Sequence, residues 1–144
     1  MKAIAILSAI ASLAIAATAV AAPVTMTFQN LSTTTAMVVS HVNACGTLLP
    51  TPTTVFAGKT SPASSTNCGA AASASHVTYT MGAKSCVFHI STIYTPPDVL
   101  IGSSGYWTPS SSTTPSGGAI CNVVSKDISH IFTTGAYAAV FSMK

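Results

Sequence analysis

Apolar side chains are distributed along this chain in two ways. From Ala3 to Val20 they run almost unbroken, with only Ser8, Ser12 and Thr18 between them. After Pro23 they alternate with polar residues at period two, the pattern of strands with one buried face. Val24-Thr25-Met26-Thr27-Phe28-Gln29 is the first such strand, and Asn30-Leu31-Ser32-Thr33 breaks it. A second runs from about Ala36 to Asn43. Pro50 and Pro52 then impose an extended, turn-rich crossing. Thr54-Val55-Phe56 is a short strand ending at Gly58-Lys59, and residues 60–74 read as a loop of Ser, Ala, Thr, Pro and Gly.

The clearest unit is a hairpin from Ser75 to Tyr94. Gly82-Ala83 suits a two-residue type II′ turn, which needs a left-handed backbone at its first central position. That turn pairs His76 with His89 and Val77 with Phe88. It collects Val77, Tyr79, Met81, Lys84, Cys86 and Phe88 on one face, and His76, Thr78, Thr80, Ser85, Val87 and His89 on the other. A slip of one residue would mix the two sets, which a sheet with one buried face resists. Residues 95–118 are rich in Ser, Thr, Pro and Gly and read as a long loop, of the kind that is often functional. Ala119–Val124 and Ile128–Phe132 are the next strand candidates. The last strand is Ala136–Met143, with Tyr137, Ala139, Phe141 and Met143 on one face.

Seven or eight short strands punctuated by Gly, Pro and Ser predict an all-β, antiparallel two-sheet β-sandwich. An outer-membrane barrel is the rival architecture, but its strands run to about 9–11 residues with an apolar outer band. These strands are shorter. No amphipathic helical spacing is present, and Gln and Leu are few while Glu and Arg are absent.

The N-terminal run changes the picture by fixing a compartment. Met1-Lys2 followed by the apolar stretch and Ala19-Val20-Ala21 is the layout of a secretory signal, cut after Ala21. The run is also about the length of a membrane span, but its Ala-rich composition and the change of character at Pro23 favour a removed signal. Residues 1–21 are therefore a cleaved signal peptide and residues 22–144 one domain. The protein is expected to be secreted, or periplasmic if its source is bacterial. The four cysteines, at 45, 68, 86 and 121, then read as two disulfides. Of the three pairings, Cys45–Cys68 and Cys86–Cys121 each close a loop between neighbouring strand candidates. Their spacing matches no zinc pattern.

Charge narrows the partners. Past the signal there are four lysines (59, 84, 126 and 144) and two aspartates (98 and 127), with no Arg or Glu. Phosphate neutralisation needs clustered Lys or Arg, so nucleic acid is set aside. A surface of Ser, Thr, Asn and Gly suits an extracellular protein that meets neutral surfaces.

Three segments resemble the aegerolysin-type β-sandwich family. They are Val24-Thr25-Met26-Thr27-Phe28-Gln29-Asn30-Leu31-Ser32, the hairpin from Ser75-His76-Val77-Thr78-Tyr79-Thr80-Met81-Gly82 through Phe88 to Tyr94-Thr95-Pro96, and Thr133-Thr134-Gly135-Ala136-Tyr137-Ala138-Ala139-Val140-Phe141. The resemblance implies a small β-sandwich that interacts with lipid, in some cases making pores or acting as a toxin with a partner protein. The chain departs from the family in having a single Trp, two acidic residues and four cysteines. No lipid-contact residue of the family is matched here by motif.

No motif for a nucleophile elbow, a zinc protease or a phosphate-binding loop is present. Asp98 and Asp127 are the only carboxylates for a glycosidase pair, and both sit in turns. Asp127 with His130 would be a fragment of a triad. Two contact sites are better motivated. Tyr106-Trp107, between Gly105 and Pro109, would present two aromatic rings at a loop tip, suited to sugar faces, lipid headgroups or protein hot spots. His76 and His89, directly opposed across the hairpin, would chelate copper or zinc weakly. No other cofactor is expected. The sequence therefore predicts a non-catalytic protein that binds membrane lipid or glycan. The alternative is a structural or adhesive subunit of an extracellular assembly, and a secreted enzyme comes third. The oligomeric state is left open.

Overall fold

Val24, Met26, Phe28 and Asn30 all turn inward on the first strand, β1 (Val24–Asn30), because an extended chain sends every second side chain to the same side. The computed structural model describes residues 22–69 and 71–144. The signal segment and its cut after Ala21 lie outside the described residues. Seven further strands follow: β2 (Val38–Ala44), β3 (Ser64–Thr66), β4 (Ala72–Met81), β5 (Lys84–Thr95), β6 (Tyr106–Ser116), β7 (Cys121–Asp127) and β8 (Tyr137–Met143). They form two four-stranded sheets, ordered β3-β1-β8-β7 and β2-β4-β5-β6. The fold is an all-β sandwich with two disulfides, Cys45–Cys68 and Cys86–Cys121.

Pairing is antiparallel except at the centre of the first sheet. There β1 and β8 run parallel, from Val24 opposite Tyr137 to Asn30 opposite Met143. A parallel pair needs a long connection, and here the rest of the domain supplies it. The hairpin register is the expected one, with His76 opposite His89 and Val77 opposite Phe88. Gly82 has φ 59° and no described non-glycine residue has positive φ, as a type II′ turn at Gly82-Ala83 requires.

The inner faces meet in a cluster of four aromatic rings. Phe28 of β1 lies 4.8 Å from Tyr79 of β4, 5.5 Å from Phe88 of β5 and 6.0 Å from Phe141 of β8, and Phe88 lies 5.2 Å from Phe141. The buried Tyr79 hydroxyl donates to the Thr53 carbonyl at 3.0 Å, and burial pushes its pKa up. Met26, Met37, Val77, Ile90, Ile131 and Met143 fill in around the rings. Both disulfides cross between the sheets, Cys45 following β2 and Cys68 following β3, Cys86 on β5 and Cys121 on β7.

Four segments depart from the sequence reading. The expected loop at 95–118 contains β6, which pairs with β5 along its whole length, from Tyr106 opposite Thr95 to Ser116 opposite Ser85. Its inward positions are Trp107, Pro109, Ser111 and Thr113, so it carries almost no apolar alternation to read. Pro109 and Pro115 are tolerated because β6 is an edge strand with one side unpaired. Likewise β3 and the start of β4 fall inside the expected loop 60–74. Val55 makes only an isolated bridge to Met37. Residues 128–132 form a turn rather than a strand, with Ile131 buried and Phe132 outside.

Asn30 ends β1 with its side chain 1% exposed. Its Nδ2 donates to the carbonyls of Thr35 and Val55 at 2.9 and 2.8 Å, and its Oδ1 accepts from the Ser32 amide at 2.9 Å. The side chain thus ties the β1–β2 turn to the Val55 segment. Asn30-Leu31-Ser32 is also a glycosylation sequon, yet the nitrogen that would carry a glycan is occupied and enclosed.

The folded protein secreted from a eukaryotic host will carry no glycan at Asn30 by intact mass, and Asn30→Ala will lower stability by about 2–4 kcal/mol in denaturant titration through its three lost bonds. Loops of 23 and 35 residues closed by the disulfides correspond to roughly 3–4 kcal/mol each in the chain-entropy account. Replacing Cys86 and Cys121 together by Ala should remove an amount of that order, read from the same titrations.

Candidate functional site

The β5–β6 hairpin runs past β4, which pairs with β5 only as far as Ala72 opposite Ile93. Past the last paired residues, Thr95 and Tyr106, the backbones of Asp98 and Ser103 exchange two hydrogen bonds of 3.1 and 2.9 Å. These close a four-residue tip, Val99-Leu100-Ile101-Gly102. Gly102, at φ 67°, provides the left-handed turn residue. The Asp98 Oδ1 accepts from the Leu100 amide at 3.0 Å, which fixes the tip from inside.

That tip is apolar and uncovered. Val99, Leu100 and Ile101 are 92%, 94% and 78% exposed. A single exposed aliphatic residue needs no explanation, but three in succession on a built turn do. The β7–β8 turn at the same end of the sandwich adds Phe132, 84% exposed. Two contacts join this turn to the hairpin. The Thr92 hydroxyl donates to the Gly135 carbonyl at 3.2 Å, and Gly135 lies under the indole of Trp107, leaving no room for a Cβ.

Tyr106 and Trp107 are therefore not a paired loop tip. They open β6 and, as neighbours on a strand, point to opposite faces. Tyr106 faces outward, 52% exposed. Trp107 faces inward, packed on the core, with its ring 5.1 Å from Tyr94. The sequence reading passed over Val99-Leu100-Ile101. The signal was there, an apolar triplet between Asp98 and Gly102 in a Ser/Thr/Pro stretch, but the two larger aromatics drew the reading.

His76 and His89 are brought together on the outer face of the second sheet, their rings 4.4 Å apart. They line an open groove of about 380 Å³ with His41, Asn43, Thr78, Val87, Ser112 and Thr114. His41 arrives there through a bulge in β2. The register shifts between Val39 and His41, so that Val39 and Val42 both stay half-buried while His41 lies opposite Thr78. His130 lies far from the pair, in the β7–β8 turn, lining a small hollow with Asp127 and Ser129. Partial burial, and then the charge of His76, lower the pKa of His89. Among the described residues no three His, Cys, Asp or Glu side chains converge on one point.

The aspartates serve their own turns. Asp98 holds the tip as described. The Asp127 Oδ1 accepts from the Ser129 amide at 2.9 Å; its interactions with Ser129 pull its pKa down, and His130 adds to this through charge alone. In a Ser-His-Asp relay the imidazole stands between the other two. Here the serine bonds the carboxylate directly.

Neither protein-family models nor curated proteins give a match to this chain.

The placement of the aromatics predicts a division between them. Trp107→Ala should cost about 2–3 kcal/mol, somewhat below the range for a fully buried Trp because Trp107 is only partly enclosed. Tyr106→Ala should stay within about 0.5 kcal/mol, as surface changes do. Thermal and denaturant unfolding of both variants measures the difference.

Proposed function

We propose that this is a secreted, non-catalytic domain that binds membrane lipid by inserting the β5–β6 tip. The exposed Val99-Leu100-Ile101 triplet carries the reading. Burying an aliphatic side chain of this size is worth about 1.5–3 kcal/mol, so three entering the acyl region together suffice for reversible membrane attachment. The tip's backbone is already closed by hydrogen bonds, so little ordering entropy is lost on contact. Phe132 at the same end adds a further apolar anchor, and Tyr106 stands where the headgroup zone would fall.

Charge selects the type of surface. The tip end carries Asp98, Asp127 and one lysine, Lys126, whereas Lys84 at the β4–β5 turn and Lys144 line a hollow at the opposite end. The two aspartates outweigh the single lysine at the tip end, which disfavours anionic headgroups, so the reading is a neutral lipid surface. Two disulfides suit an oxidising compartment, the N-terminal run suits export, and the resemblance to aegerolysin-type proteins points the same way. The same resemblance suggests that a partner protein could convert attachment into a pore or toxin.

A glycan target keeps one supporting feature, the outward Ser and Thr hydroxyls of β6 beside Tyr106. An adhesive assembly would use the free edge of β6, but Pro109 and Pro115 interrupt that edge and weaken strand addition there.

Co-sedimentation with phosphatidylcholine vesicles tests the lipid reading. The unaltered protein should partition to vesicles with little dependence on salt or on added anionic lipid. Changing Val99, Leu100 and Ile101 together to Ser should reduce partitioning at least tenfold without moving the thermal midpoint. Vesicle binding unaffected by that change, or binding only to a glycan array, would remove the tip from the function.

A further inference from the structure

We propose that His76 and His89 form a two-imidazole site for a divalent transition-metal ion, with copper(II) preferred over zinc(II). The argument begins with the sheet. The two residues are direct cross-strand partners, and their side chains leave the same outer face. Opposed Cβ atoms in such a pair stand about 4.5–5.5 Å apart. A metal held at about 2.0–2.1 Å from each nitrogen needs the two nitrogens roughly 3 Å apart. The ring centres are 4.4 Å apart and tilted by 42°, so rotation about the side-chain bonds brings two nitrogens to one ion with no movement of the backbone.

The surroundings favour an ion of this type. Imidazole suits copper and zinc, and at equal ligands copper(II) binds more tightly. The groove contributes no thiolate and no carboxylate. A structural zinc site needs four protein ligands, whereas copper(II) is served by two nitrogens with water in the remaining positions. Asn43 and Ser112 flank the pair in the same row across all four strands, and their side chains are placed to hydrogen-bond such waters.

Protons compete with the ion. The groups facing the pair are His41 from β2, together with Asn43, then Thr78 from β4, Val87 from β5, and Ser112 and Thr114 from β6. The groove lining includes no carboxylate to hold the imidazoles protonated and no lysine to repel the metal. Binding therefore weakens as pH falls through the histidine range.

Copper(II) titration of the purified, oxidised protein in a non-coordinating buffer is the test. At pH 7.4 the expected result is one copper per chain, with an electron paramagnetic resonance spectrum showing coupling to two imidazole nitrogens, lost near pH 5. His76→Gln and His89→Gln should each weaken binding at least tenfold, while His41→Gln should not. Thermal unfolding checks that each variant is folded. The spectrum of the unaltered protein is decisive even if a variant is not. Coupling to fewer than two imidazoles, or full-strength binding by a folded His76→Gln/His89→Gln protein, would overturn the site. Neither outcome depends on whether the tip binds lipid.

Discussion

Four aromatic rings, two from each sheet, hold this sandwich together. Phe28 and Phe141 come from the central strands of one sheet, Tyr79 and Phe88 from the central strands of the other. Their ring planes are mostly tilted against one another, the arrangement that aromatic quadrupoles prefer. The rest of the interior is poorer. Toward the margins the inward positions are Ser64, Thr66, Ser73, Ser75 and Thr92, whose small polar side chains add little burial; Ser73 and Thr92 are hydrogen-bonded, whereas the Ser75 hydroxyl is buried without a partner among the described residues. Cohesion is therefore concentrated at the centre of the domain.

The disulfides compensate where the core thins. Cys45–Cys68 closes the end from which the β5–β6 tip projects, and Cys86–Cys121 the end of the β4–β5 turn. Each joins one sheet to the other. Between them, Tyr137 and Ser111 bond across the sheets at 2.7 Å, as do Thr113 and the Cys121 carbonyl at 3.1 Å. A small domain with few aliphatic residues needs such staples. In return the two sheets become a stiff base, which is what a short projecting hairpin requires if its tip is to meet a surface in one orientation.

The two faces of the second sheet divide the work. Its inner face packs against the aromatic cluster. Its outer face carries hydroxyls and the facing histidines, whose spacing is set by the strand ladder and not by a loop. The one irregularity there, the bulge before His41, preserves the inward valines on either side and lets a third histidine reach the groove without becoming part of the pair. Rigid strand positions give the histidines fixed separation, and the closed tip gives the aliphatic triplet fixed exposure.

Local pattern was enough to determine the central strands. Period two in Val24–Gln29, in Val77–Phe88 and in Tyr137–Met143 already states which side chains face inward, because a buried face tolerates no slip of register. The same reasoning placed His76 opposite His89 through the Gly82-Ala83 turn, and closing loops between neighbouring strand candidates gave the observed cysteine pairing. The edge strands β3 and β6 were not legible. Apart from Trp107 their inward residues are Ser, Thr and Pro, so burial there follows from what the neighbouring strand covers and leaves no mark in composition. Only the tertiary structure set β1 beside β8 in parallel, since nothing local relates the two ends of the domain. It also decided the candidate site. Two adjacent aromatics on a strand must point to opposite faces, which took Trp107 into the core. The triplet Val99-Leu100-Ile101 became a feature because the fold closed a turn around it and put nothing over it.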